Sequence, residues 1–113
     1  MYIDPLLKQW AVELVRATRS LDIVEVGASV RGSLALERGV RANALLHGRR
    51  FGTPDDVEAL FLPVIAHRLV VDAEVLMEDV SDEDVQRRIM EECLARAPRP
   101  EPDWDANGAA PRR

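Results

Sequence analysis

The 113 residues hold one cysteine, Cys93, two histidines, His47 and His67, and very few aromatic side chains. A single cysteine excludes an internal disulfide, and with two scattered histidines it gives no zinc-site spacing. Cys93 therefore reads as a small buried hydrophobe. Aromatics are 4% of the chain against an apolar content of 47%, mostly Ala, Leu and Val, a balance that suits closely packed helices better than a β-sandwich. No apolar run approaches the roughly 20 residues that span a bilayer, and the N-terminus has no basic stretch leading into an apolar one. The expectation is a soluble, cytoplasmic protein without membrane insertion. The chain also lacks a G-x-x-x-x-G-K-[ST] loop and an apolar strand ending in paired acids, so it has no means of its own to bind and activate a nucleotide. No cofactor and no catalysis are expected of these residues alone.

Negative charge is scarce in one half only. Residues 1–53 carry eight basic and five acidic side chains, whereas residues 54–113 carry seven and fifteen, for a net charge of −5 overall. The first half is the one that attracts anions. Nucleic-acid binding draws largely on basic side chains neutralising phosphates, so an acidic chain of this size argues against a nucleic-acid partner.

What is present is a mainly α pattern of about four helices, enough for one core. Asp4 as N-cap with Pro5 at the first helical position starts a helix over 5–20, with Leu7, Trp10 and Leu14 on its apolar stripe. Ile23 to Val26 is short, β-branched and extended. A second helix follows Ser29 and runs to His47, closed by Gly48, with Leu36, Val40, Ala44, Leu34 and Leu45 as core contacts. Thr53-Pro54-Asp55-Asp56 opens a third, burying Val57, Leu60, Phe61, Val64 and Ile65, and Pro63 predicts a kink or break near Leu62. Leu69 to Val71 reads as extended. Ser81 caps a fourth helix with Val85, Ile89 and Cys93 inward, ending by Pro98; the acids at 78–84 lack calcium-loop spacing and serve capping. Residues 1–98 thus form the fold, and the Pro- and Asp-rich stretch 99–113, with its single Trp104, reads as a disordered tail.

The densest functional signal is Gly27-Ala28-Ser29-Val30-Arg31-Gly32, a turn leading to a capping serine and an arginine in the first helical turn. Unpaired N–H groups and the helix dipole make such a terminus attractive to anions, and Arg31 adds a permanent charge with five donors. Arg38 and Arg49 fall within about 20° of Arg31 at 100° per residue, so the spacing predicts a basic stripe; Arg49 has Asp55 and Asp56 as rival partners. His67 and Arg68, at a helix end, are explained by the dipole.

Four segments, L-V-R-A-T-R (14–19), G-A-S-V-R-G-S-L-A-L (27–36), G-R-R-F-G-T-P-D-D-V (48–57) and A-H-R-L (66–69), in this order and spacing, resemble the C-terminal lid of a MoxR-type AAA+ ATPase. The resemblance covers residues 2–98. It implies a small helical lid over ATP and Mg held by an upstream P-loop core, with Arg31 in the position of the sensor 2 arginine that reaches the γ-phosphate. It also implies a ring homo-oligomer, a client protein remodelled or matured by hydrolysis, and a short two-strand parallel β bridge between the connectors at Val24 to Val26 and Arg50 to Gly52. Val30 stands where most members have proline, which loosens the aim of Arg31. Tyr2-Ile3-Asp4 falls where such a lid begins, so the chain is expected to be an excised domain. The alternative from the residues themselves is a free-standing helical interaction module without ATPase activity.

Overall fold

A computed structural model describes residues 2–71 and 81–100 of the chain. The expected disordered tail beyond Pro100, its Trp104, and the acids at 78 and 79 lie outside the described residues.

The described part is mainly α. Asp4 accepts a hydrogen bond from the Leu6 N–H at 2.9 Å and opens α1, Pro5–Ala17, which tightens into a 3₁₀ turn over Thr18–Ser20. After the strand β1, Val24–Val26, comes α2, Val30–Leu46, ended by Gly48 at φ +72°, a left-handed conformation that glycine adopts without the clash a Cβ brings. A full capping box, in which Thr53 and Asp56 each bond the other's backbone N–H, starts α3, Pro54–Ile65. It passes into a 3₁₀ turn over Ala66–Arg68 and then β2, Val70–Val71. Ser81 accepts from the Asp84 N–H at 3.2 Å to begin α4, Asp82–Arg96. No helix among the described residues is long and apolar enough to cross a membrane.

The core gathers Leu7, Trp10 and Leu14 of α1, Leu36 and Val40 of α2, Val57, Phe61 and Ile65 of α3, and Val85, Ile89 and Cys93 of α4. Trp10 also donates from Nε1 to the Ala97 carbonyl at 2.8 Å in the interior, which satisfies the indole and ties α1 to the end of α4. Helices α2 and α3 are antiparallel. A Cβ on Gly39 would lie 3.2 Å from Leu60 Cδ1 and one on Gly32 3.1 Å from Ile65 Cδ1, so both glycines let the pair approach closely.

Four details differ from the expected arrangement. β1 pairs with β2, antiparallel, in the registers Val24 with Val71 and Val26 with Val70, while the connector at Arg50 to Gly52 makes its parallel bridge with Tyr2. The reason is length: 17 residues of α2 carry the chain roughly 25 Å from β1, and only the return along α3 brings it back. Second, α3 has no break near Leu62 and runs through Pro63 to Ile65. Pro63 is exposed, and the bond it removes would have used the carbonyl of Ala59, itself exposed and open to water. Third, the Ser29 side chain makes no capping bond although it occupies the N-cap. Fourth, Leu34 and Leu45 are 55% and 64% exposed, because they lie round the helix from the buried stripe of Leu36, Val40 and Ala44. Leu36→Ala should therefore cost about 2–5 kcal/mol in a denaturant titration, and Leu45→Ala less than about 1 kcal/mol. Equal costs would contradict this packing.

Candidate anion site at the start of α2

Two of the sequence segments turn out to be halves of one clamp. Thr18, buried at the end of α1, donates its hydroxyl to the Val15 carbonyl at 2.6 Å and accepts from the Ala28 N–H at 3.0 Å. Arg19 donates from Nε to the Ala28 carbonyl at 3.0 Å. Both backbone polar groups of Ala28 are thus held by consecutive residues, which orients the turn entering α2. Gly27 is required there: a Cβ would sit 2.8 Å from the backbone N and Cα of Arg19. Arg19 is accordingly a structural residue, and Arg16 is exposed on α1.

The clamp delivers Arg31 to the first turn of α2. Ser29 contributes only its backbone carbonyl, which accepts from the Gly32 N–H at 2.8 Å. With no side-chain cap and no acid in the first turn, the positive end of this helix is left without a neutralising group of its own. Arg31 is exposed, and among the described residues no carboxylate pairs with it. Arg31, Leu34, Ala35, Arg38 and Arg68 line one open groove of about 340 Å³. Arg68, which the sequence reading assigned to the dipole of its own helix, is the addition. It arrives because α3 returns antiparallel to α2, placing the end of one beside the start of the other. The pair of glycines at 32 and 39, seven residues apart on one face of α2, was the available signal for that close return.

Arg49 does not join the stripe, since α2 stops at Leu46 and Gly48 turns the chain away. Its guanidinium instead grips Asp56 with two bonds of 2.7 Å, Nη1 to Oδ2 and Nη2 to Oδ1. Asp56 is 1% exposed and also accepts from Asn43 Nδ2 at 2.7 Å and from the Thr53 N–H at 2.8 Å. Burial pushes this carboxyl up, but the bonds from Arg49, Thr53 and Asn43 together outweigh it and hold it at about 2. The hydrogen bond to Asp56 raises the Arg49 guanidinium, against burial. This network pins the loop between α2 and α3 and commits the Arg49 charge to Asp56.

Other candidates fall away on chemistry. Burial raises the Cys93 thiol to about 11, which keeps it from acting as a thiolate. The half-open cleft between α1, α2 and α3, bordered by Leu7, Lys8, Ser33 and Glu37, holds about 20 Å³, room for little more than one water. Among the described residues no group of three or more His, Cys, Asp or Glu could hold a metal ion. A three-arginine groove fits phosphate oxygens and offers nothing to a divalent cation.

Residues 16–102 match the family model of an AAA lid domain. The chain is similar to the uncharacterized protein YeaC of Bacillus subtilis, 38% identical over 87 residues, covering 77% of this chain and 27% of that protein. It is 31% identical over 99 residues to chaperone MoxR1 of Mycobacterium tuberculosis, covering 80% of this chain and 26% of the relative. Among solved structures, a candidate ATPase from Cytophaga hutchinsonii superposes with a TM-score of 0.73 at 27% identity, over 88% of this chain and 32% of the other. The chain thus spans about a quarter of the length of these curated relatives.

Proposed function

The chain belongs to the AAA lid domain family, in its MoxR-type branch, and from that premise we propose that it closes over a nucleotide held by a P-loop core outside these 113 residues. The observation that carries this reading is Arg31: exposed, free of any carboxylate among the described residues, and fixed at an uncapped helix N-terminus by the Thr18–Arg19 clamp on Ala28. ATP with Mg²⁺, bound by the core, supplies the phosphoryl group. Arg31 approaches its γ-phosphate as a sensor 2 residue and offsets the charge that builds there during transfer. The clamped turn makes the arginine move with the lid as one body, so the presence or loss of the terminal phosphate shifts the lid between closed and open positions.

Lid movement in turn couples hydrolysis to remodelling or maturation of a client protein, in a ring of identical subunits built mainly through the core. The chaperone name of one relative supports the client half of this reading, and an ATP-driven machine of this kind belongs in the cytoplasm, where ATP is supplied. Calorimetric titration of ATP tests the division of labour. Binding is expected for a polypeptide carrying core and lid, with hydrolysis, and not at micromolar affinity for the 113-residue chain. Micromolar binding by the isolated chain would overturn the claim that the core holds the nucleotide. A core-and-lid polypeptide that neither binds nor hydrolyses ATP would leave the helical interaction module as the better reading.

A further inference from the structure

The distribution of arginine partners is uneven. Arg41, Arg49, Arg87, Arg88 and Arg99 each face a carboxylate, at distances between 2.7 and 3.8 Å, and Arg19 and Arg96 donate to backbone carbonyls. Five have no such partner among the described residues, Arg16, Arg31, Arg38, Arg50 and Arg68, and three of these, Arg31, Arg38 and Arg68, line the same groove. In a chain with 20 acidic side chains, three exposed cations lining one groove, none of them paired with a carboxylate among the described residues, give that groove a positive field. An anion in the groove would supply the counter-charge.

The geometry says what kind of anion. Arg31 and Arg38 are seven residues apart, about 10 Å along the axis of α2, which suits an extended chain of charged oxygens better than one carboxylate. Arg68 comes from the 3₁₀ turn after α3, on the other wall. Its stem passes the bare surface of Gly32, where a Cβ would lie 3.8 Å from Arg68 Cδ and 3.1 Å from Ile65 Cδ1. Guanidinium forks on two walls can each take a phosphate edge, and Leu34 and Ala35 between them keep the groove poor in competing acceptors.

We propose that Arg38 and Arg68 join Arg31 in a three-armed site for the polyphosphate chain of a nucleotide, with Arg68 reaching it from the α3 side. This rests on the reading that the lid faces bound nucleotide. Arg68 follows α3 directly, so its contact puts both helices of the α2–α3 pair under the control of the same phosphates.

The test titrates tripolyphosphate at low salt into the isotope-labelled 113-residue chain and follows the arginine Nε–Hε resonances. Arg31, Arg38 and Arg68 should shift together with one weak dissociation constant, while Arg16 and Arg50, which lie elsewhere, stay put. Arg38→Ala and Arg68→Ala should each weaken binding roughly threefold or more, as expected for loss of one charge-assisted contact at a screened site, with the backbone spectrum unchanged. Shifts confined to Arg31, with Arg68→Ala neutral, overturn the three-armed site and leave the role of Arg31 standing. No shift at any of the three overturns it as well. A duplex DNA oligomer that binds through these arginines more tightly than tripolyphosphate would also overturn the assignment to the polyphosphate chain of a nucleotide. In a core-and-lid polypeptide, Arg68→Ala should raise KM for ATP more than it lowers kcat, with partial rescue by Arg68→Lys. If turnover there ignores Arg31 while the tripolyphosphate shifts persist, the lid reading fails and the nucleotide is removed from the proposal.

Discussion

Arg31→Ala in a polypeptide carrying both core and lid should lower ATP turnover at least about tenfold, since an arginine that meets transferring phosphoryl charge in a water-poor site contributes far more than one in bulk solvent. The same substitution in the 113-residue chain should leave its melting temperature within a few degrees, roughly the effect of removing an exposed side chain with no ion-pair partner among the described residues. The two measurements have to be made together. A large loss of turnover with a large loss of stability would indicate a damaged fold, whereas unchanged turnover would reduce Arg31 to a surface residue. Arg31→Lys sharpens the comparison: lysine retains the charge but not the planar fork, so partial recovery is expected.

The largest stability effect is expected at Asp56. This carboxylate takes two bonds from Arg49, one from Asn43 and one from the Thr53 N–H while almost wholly buried. Asp56→Ala removes the acceptor from all of them at once and leaves the partly exposed Arg49 side chain without its ion-pair partner. Breaking one side of such a pair costs about 3–5 kcal/mol, a large part of the roughly 5–15 kcal/mol that a domain this size possesses. The melting temperature should fall by at least about 12 °C in a circular-dichroism melt. A fall of only a few degrees would mean that the network positions the loop without stabilising it.

The pH dependence follows from the same carboxyl. Its folded-state value, about 2, lies below the ordinary value near 3.9 of an unfolded chain, so the folded protein binds fewer protons in between. The stabilisation is therefore fully present above the unfolded value and is lost as pH falls towards 2. The gap in stability between the wild-type chain and Asp56→Ala should be constant near neutrality and shrink between about pH 4 and pH 2. A gap that widened on acidification would have the wrong sign for a depressed carboxyl.

How much of this was legible depends on how local the cause is. The starts of α1, α3 and α4 were readable because a capping side chain and the N–H it serves lie within a few residues of each other, as at Asp4, Thr53 and Ser81. Arg31 was readable for the same reason, being one step from a turn and a helix start. The role of Ser29 was misread because capping depends on a side-chain rotamer that the sequence does not state. Leu34 and Leu45 were misassigned because alanines on several faces of α2 blur its stripe, and only packing against α1 and α3 shows which side is covered.

By itself the sequence determined where the helices lie, the charge asymmetry, the segments that resemble a MoxR-type lid, and Arg31 as the residue to watch. These are properties of neighbours along the chain. The tertiary structure alone decided that β1 pairs with β2, that Arg49 is consumed by Asp56, and that Arg68 reaches the groove of Arg31 and Arg38. The Arg49–Asp56 pair follows from the turn at Gly48, and the other two depend on the antiparallel return of α3 along α2, which brings together groups 30 to more than 40 residues apart, with close contact at Gly32 and Gly39, where no side chain stands in the way.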